Sequence, residues 1–244
     1  MRNQLVILAG GQGKRMGNVL PKVLVMLKQK PLILHLLHEL EKITQLIKPV
    51  IVVGYKKEAV MGVLGDQYFY AFQEHQLGTA HAVFSAKSKI KAENILVLYG
   101  DMPFIKAESL KKIMRLHRDK DSKITMLTTN LPNFEGLYKG FFNFGRIIRG
   151  HNGKIIKITE FRDASERERK ILEINPGIYI FNTKWLWENI KKIKNKNSQS
   201  EYYLTDIVEV AIEQGLIVNN FNVASKEVIG INSKEDLEEA EKIA

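Results

Sequence analysis

Short apolar runs ending in glycine alternate along this chain with stretches in which apolar residues recur every three or four positions. Leu5-Val6-Ile7-Leu8-Ala9 runs into Gly10-Gly11 and predicts a buried strand. Pro31 then opens a segment with apolar residues at Ile33, Leu36, Leu37, Leu40, Ile43 and Ile47, the spacing of a helix with proline in its first turn. Val50-Ile51-Val52-Val53-Gly54, Phe69 to Phe72 and Ile95 to Tyr99 predict further strands, with a helix over Thr79 to Lys89. Helices are also expected over Ala107 to Leu116, Leu204 to Gln214 and Ser233 to Ile243. Ser233 and Asp236 form a capping-box pattern at the start of the last. Strands are expected over Ile124 to Thr128, Ile155 to Ile158 and Gly177 to Phe181, and a mixed-charge exposed helix near Arg162 to Lys170. Leu131 to Gly153, rich in Gly, Phe and Asn, reads as loops or hairpins.

Strands alternating with helices predict an α/β fold on a mostly parallel, Rossmann-like sheet with flanking helices and a small β-rich subregion. Ligands of such sheets bind beyond the carboxyl ends of the strands, which here carry Gly10-Gly11, Gly54 and Gly100-Asp101. The length of 244 residues, with no repeat and no Pro/Ser-rich linker, fits one compact domain.

Composition removes several chemistries. The chain has no cysteine, which excludes disulfide scaffolds, zinc-thiolate sites and cysteine nucleophiles. No apolar run reaches the ~20 residues that span a bilayer, and the amino terminus lacks a signal-peptide pattern. A cytoplasmic protein without membrane partners is expected. The formal net charge of +10 favours anionic partners without choosing among them. His35 and His38 lie three apart on the first helix, but no third ligand has suitable spacing, so they read as core or surface histidines. Phe141-Phe142-Asn143-Phe144 reads as buried loop packing.

The stretch Gly10-Gly11-Gln12-Gly13-Lys14-Arg15-Met16, followed by Pro21-Lys22, carries the most chemistry. A Walker loop needs Ser or Thr after Gly13-Lys14, where Arg15 stands, and the dinucleotide fingerprint needs a small residue where Met16 stands. What remains is a glycine loop backed by cations, suited to phosphates and to a departing pyrophosphate.

This string resembles the signature of the sugar-1-phosphate nucleotidyltransferases. Gln73-Glu74-His75-Gln76-Leu77-Gly78-Thr79, Leu98 to Pro103, Phe144 to Arg149, Glu173-Ile174-Asn175, Ser200 to Asp206 and Gly230-Ile231-Asn232 follow in the family's order. Together they are similar to the pyrophosphorylase half of the bacterial bifunctional N-acetylglucosamine-1-phosphate uridylyltransferases over nearly the whole chain. The resemblance implies UTP and a sugar 1-phosphate as substrates and Mg²⁺ as cofactor, held by Asp101 and Asn232. It implies Arg15 and Lys22 as the catalytic phosphate-holding cations. Leu8, Ala9, Gly10, Gly11, Gln73, Gly78, Thr79, Tyr99 and Gly100 would surround the nucleotide. Gly145, Glu160, Asn175, Tyr203 and Thr205 would surround the sugar. Residues 1–130 would form the nucleotide-binding part, 131–232 the sugar-binding part and 233–244 a terminal helix.

Gly10 stands where the family usually has Ala, and Asn143-Phe144 where it has Gly-Tyr. The sugar and the strictness of base choice are left open. The family continues into a hexapeptide-repeat β-helix. No such repeat occurs here, so acetyl transfer is not expected. Another sugar-1-phosphate nucleotidyltransferase, or a non-catalytic nucleotide-sugar or nucleic-acid module on this fold, are the alternatives. A nucleic-acid partner is not expected, because a binding module would not need Arg15, Lys22, Asp101 and Asn232 together.

Overall fold

The computed structural model describes residues 2–13, 16–17, 20–44 and 46–244. The first strand, β1 (Asn3–Leu8), leads into the glycine loop. A short hairpin, β2 (Met26–Leu27) and β3 (Lys30–Pro31), precedes α1 (Leu32–Leu40). Next come β4 (Leu46–Val53), α2 (Lys57–Leu64), β5 (Phe69–Phe72), α3 (Thr79–Ser85), β6 (Asn94–Tyr99), α4 (Ala107–Asp119) and β7 (Ile124–Asn130). A 3-10 segment at Gly136–Asn143 separates these from β8 (Gly145–Arg149), β9 (Ile155–Thr159), α5 (Glu166–Arg169), β10 (Glu173–Asn175), β11 (Tyr179–Asn182) and α6 (Thr183–Asn189). The chain closes with α7 (Ile207–Glu213), β12 (Asn219–Asn222) and α8 (Lys234–Glu241).

The sheet runs β5-β4-β1-β6-β11-β7-β10-β8-β9, with β12 also on β7. β5, β4, β1 and β6 are parallel neighbours, and β12 is parallel to β7. β11 lies antiparallel between β6 and β7, so β7 keeps the direction of the first four strands. β10, β8 and β9 continue as an antiparallel extension, the β-rich subregion. The central strands are buried on both faces. Leu5, Ile7, Ile51, Val53, Leu96 and Leu98 join one core with α1, α2 and α4. Their alternates Val6, Leu8, Val50, Val52, Ile95 and Val97 join a second with α3, α6 and α7. That is the period-2 alternation of a sheet covered on both sides. Each such side chain contributes roughly 1.5–3 kcal/mol on burial.

Two sequence expectations need correction. The first helix stops at Leu40 rather than continuing to Ile47. Ile43 is buried after its end, and Ile47 already belongs to β4. The helix expected over Arg162 to Lys170 shrinks to the single turn α5, closed by a Ser165–Glu168 capping box. The Ser233–Asp236 capping box is present at α8.

His117 of α4 is buried, with Nδ1 3.0 Å from Thr125 Oγ1. Burial lowers its pKa from 6.5 to about 4; Asp121 opposes the shift and Lys123 reinforces it. Between those values the unfolded chain binds the proton that the folded chain refuses, so stability is lost as pH falls through that window. Urea unfolding of the wild type should lose about 2 kcal/mol more than His117→Gln between pH 7 and pH 4.5. Equal losses would remove His117 as the titrating group.

Candidate active site

The glycine loop lies where β1 ends. The Ala9 amide donates to the Val52 carbonyl (2.8 Å), and the Gly100 amide to the Leu8 carbonyl (3.0 Å), which sets three strand ends side by side. Gly10 packs closely: a Cβ there would stand 3.3 Å from both Gln73 Oε1 and the Gly54 nitrogen, an approach that a shift of a few tenths of an ångström would relieve. Gly13 has φ +65°, and a Cβ there would meet Lys22 Cβ at 2.9 Å. Its bareness lets Lys22 pass under the loop.

Lys22 reaches across the site. Its ammonium donates to Asp101 Oδ2 and to Asn232 Oδ1, the latter at 2.8 Å. Asp101 is buried at the end of β6. The Ile231 amide donates to the Asp101 carbonyl (3.1 Å), which draws in the segment carrying Asn232. The Asn232 amide in turn donates to Asp236 Oδ2 at 2.9 Å, so the α8 capping residue fixes it.

A cavity of about 250 Å³ opens over this cluster. Leu8, Gly10, Gly11, Lys22, Tyr99 and Asp101 line it together with Gln73, Gly78 and Thr79. Gln73 Nε2 donates to the Gly78 carbonyl (3.1 Å). Gln76 Nε2 donates to the Gly10 carbonyl (2.7 Å) and joins the lining, as does Glu201. Neither Gln76 nor Glu201 was assigned from the sequence, although both lie inside the quoted motifs. Ala9 and Gly100 lie behind this wall, their amides committed to the strands. Arg15 falls outside the described residues.

Two distant motifs are stitched together beside this cavity. The Tyr202 amide donates to the Leu77 carbonyl (2.8 Å), and the Ala80 amide to the Tyr202 carbonyl (2.9 Å). The Leu204 amide donates to Thr79 Oγ1 (2.9 Å). A second, polar cavity of about 230 Å³ follows, lined by Asn143, Glu160, Phe161, Arg162, Gln199 and Tyr203. Glu160 accepts from Thr205 Oγ1 at 3.0 Å. Burial raises the Glu160 carboxyl, against the Thr205 bond. Burial also pushes the Tyr203 phenol to about 12. Gly145 packs over this carboxylate; a Cβ would lie 3.4 Å from Glu160 Oε1. Tyr99 stands between the cavities, its phenol raised by burial and then by Glu160 and Asp101. Asn175 lines neither cavity, and its Oδ1 accepts from the Gly177 amide at 2.9 Å. That bond shapes the turn whose Gly177 faces the Tyr99 ring.

Among the described residues no group of three or more His, Cys, Asp or Glu could hold a metal. His35 Nε2 sits 3.0 Å from the Leu27 carbonyl, a structural role. No helix among the described residues is long and apolar enough to cross a membrane.

A glycine loop over the carboxyl ends of parallel strands, opening onto a second cavity on an antiparallel extension, defines the nucleotide-diphospho-sugar transferase fold. UDP-glucose pyrophosphorylase, solved with UDP-glucose, shares it with a TM-score of 0.80 at 18% identity, covering 100% of this chain and 98% of that one. The chain belongs to the MobA-like NTP transferase domain family, whose model matches residues 5–173. A relative from Caldicellulosiruptor saccharolyticus named bifunctional protein GlmU is 44% identical over 244 residues, covering 98% of this chain and 51% of its own. One of the same name from Acetivibrio thermocellus is 41% identical, covering 98% and 50%. The chain therefore spans about half the length of these curated relatives.

Proposed function

We propose that the chain transfers a uridylyl group from UTP to N-acetylglucosamine 1-phosphate, forming UDP-N-acetylglucosamine and pyrophosphate. The convergence of Lys22, Asp101 and Asn232 beside the glycine loop carries this reading. The motifs read from the sequence, with 44% and 41% identity to relatives named bifunctional protein GlmU, support the choice of substrates. A phosphate oxygen of the sugar 1-phosphate forms a bond to the α-phosphorus, and the bond to the bridging oxygen breaks as pyrophosphate leaves. In-line displacement needs no protein nucleophile; orientation and charge neutralisation suffice.

Asp101 and Asn232 present hard oxygen donors that already accept one cation, the Lys22 ammonium. Such a pair suits Mg²⁺, which takes one or two protein oxygens and completes its shell with water and substrate phosphates. Bound there, Mg²⁺ would supply Lewis-acid polarisation of the phosphate oxygens. Lys22 swings from the carboxylate to the α-phosphate, and Arg15 holds the outer phosphates. Gly10 and Gly11 admit the triphosphate close to the main chain. Gln73 Oε1, free of hydrogen bonds within the described residues, faces the base, with Gly78 and Thr79 beside the ribose. Glu160, Thr205 and Tyr203 receive the sugar, with Gly145 and Asn175 shaping that end. Residues 1–130 thus serve the nucleotide and 131–232 the sugar. A reaction that consumes UTP fits the cytoplasmic setting expected from the sequence.

The test is pyrophosphate release over four NTPs and several sugar 1-phosphates with Mg²⁺. UTP with N-acetylglucosamine 1-phosphate should exceed every other pair by at least roughly tenfold, the scale of one lost polar contact. A different preferred pair would move the chain to another member of the same enzyme class. No turnover with any pair would defeat the catalytic reading.

A further inference from the structure

Arg146 is the largest fully buried side chain among the described residues. Its partners are main-chain carbonyls and aromatic rings rather than a carboxylate. Nη2 donates to the Phe142 carbonyl (2.9 Å), and Nη1 to that of Phe144. Nε and Nη2 share the Arg169 carbonyl at 3.2 and 3.1 Å. The guanidinium lies 4.6 Å from the Phe134 ring centroid and 5.7 Å from those of Phe142 and Phe161. Burial lowers its pKa to about 10, so it stays a cation at neutral pH. A buried cation without these acceptors would cost several kcal/mol, and cation–π contacts with desolvated rings add to the hold.

The placement of these bonds matters more than their sum. The carbonyls on either side of Asn143 both turn toward one guanidinium, which fixes the main chain at 142 and 144. Asn143 itself is exposed, and its side chain makes no hydrogen bond among the described residues. It lines the polar cavity with Glu160, Gln199 and Tyr203. The third acceptor, Arg169, follows the 160s loop, and Phe161 forms another wall of the same cavity. One interior cation thereby ties two of the three segments that shape the cavity, and it leaves at the cavity wall an amide without a hydrogen-bond partner among the described residues. An amide carries both donor and acceptor, which matches a hydroxyl or acylamino substituent. At about 230 Å³ the cavity is smaller than the roughly 300–1,000 Å³ of drug-sized ligand sites, and fits one ring rather than a nucleotide.

We propose that Asn143 is a specificity-determining residue that reads a hydroxyl or acylamino group of the sugar ring, and that Arg146 is the positioning residue that aims it. The inference rests on the uridylyltransferase reading and extends it to the sugar end of the site.

Calorimetric titration of the full chain with UDP and with UDP-N-acetylglucosamine isolates the sugar's contribution. Asn143→Ala should weaken the UDP-sugar about fivefold, the scale of one neutral hydrogen bond, and leave UDP within twofold. Arg146→Lys keeps the charge but loses the planar fork whose separate nitrogens reach three carbonyls in different directions, and should weaken the UDP-sugar at least as much. If Arg146 acts through Asn143, the double variant should bind no worse than Arg146→Lys alone. Thermal melts check that each variant is folded, and Asn143→Ala, being exposed, keeps the test open if Arg146→Lys does not fold. Unchanged UDP-sugar affinity in Asn143→Ala, or equal loss of UDP, would overturn the assignment of Asn143. Additive losses in the double variant would overturn the positioning role. A wild type that binds neither ligand would defeat the uridylyl reading, and this inference with it.

Discussion

Asp101→Ala is expected to lower kcat by roughly 10³-fold while the chain stays folded. Removal of a single preorganised charge-stabilising group at a reacting centre commonly costs about 10²–10³-fold, and the proposed function gives Asp101 two such roles. It is the charged member of the oxygen pair that suits Mg²⁺, and it holds the Lys22 ammonium at the site. Without it Lys22 keeps only Asn232. Stability should suffer little, because the Lys22 side chain retains 19% exposure and its ammonium can turn to water. Asp101→Asn keeps an oxygen but no charge and should fall between. Pyrophosphate release with circular dichroism checks both variants. Full turnover in Asp101→Ala would remove the metal and charge assignment.

Gly78→Ala should be strongly destabilising. Gly78 adopts φ +111°, where an L side chain is strained, and its Cβ would lie 2.5 Å from the Tyr202 carbonyl oxygen and 2.7 Å from the Tyr202 nitrogen. These are main-chain atoms engaged in the Leu77 and Ala80 hydrogen bonds, so no side chain can swing aside. Backbone strain of about 1–3 kcal/mol and overpacking of about 1–3 kcal/mol together give roughly 4 kcal/mol. The stitch between 77–80 and 202–204 would have to part, so nucleotide binding should weaken even where the chain remains folded. Gly11→Ala is the control, since among the described residues nothing lies within 4 Å of its Cβ. Denaturant unfolding measures both, and a cost below about 1 kcal/mol for Gly78→Ala would refute the account.

Much of this was legible in the residues themselves. β1, the Val50–Val53 half of β4, and β6 carry apolar runs bounded by polar, proline or glycine positions, and both faces of each run are buried, so a continuous run is what burial requires. The helical spacing overshoots the first helix because Ile43, buried beyond its end, and Ile47, half-buried in β4, continue the same period. β12, with the sequence Asn-Asn-Phe-Asn, has no strand composition; its pairing with β7 decides its conformation. The antiparallel insertion of β11 is likewise a tertiary outcome that no local pattern encodes. At the site, the glycine loop and Asp101 are locally readable as a turn and a strand-end carboxylate. The approach of Asn232 to Lys22, 210 positions away, is not, and only the family resemblance brought it in. Arg146 gives no local sign of its burial, because a cation in a polar loop ordinarily faces water.

The position of β11 reaches beyond stability. A strand drawn from the later part of the chain separates β6 from β7, both drawn from the earlier part. The two parts are interlaced, so neither can be exchanged, duplicated or lost as a cassette without unravelling the other. With the sugar in the second cavity as proposed, new sugar preferences in this architecture would arise by changes within the loops around it rather than by shuffling modules.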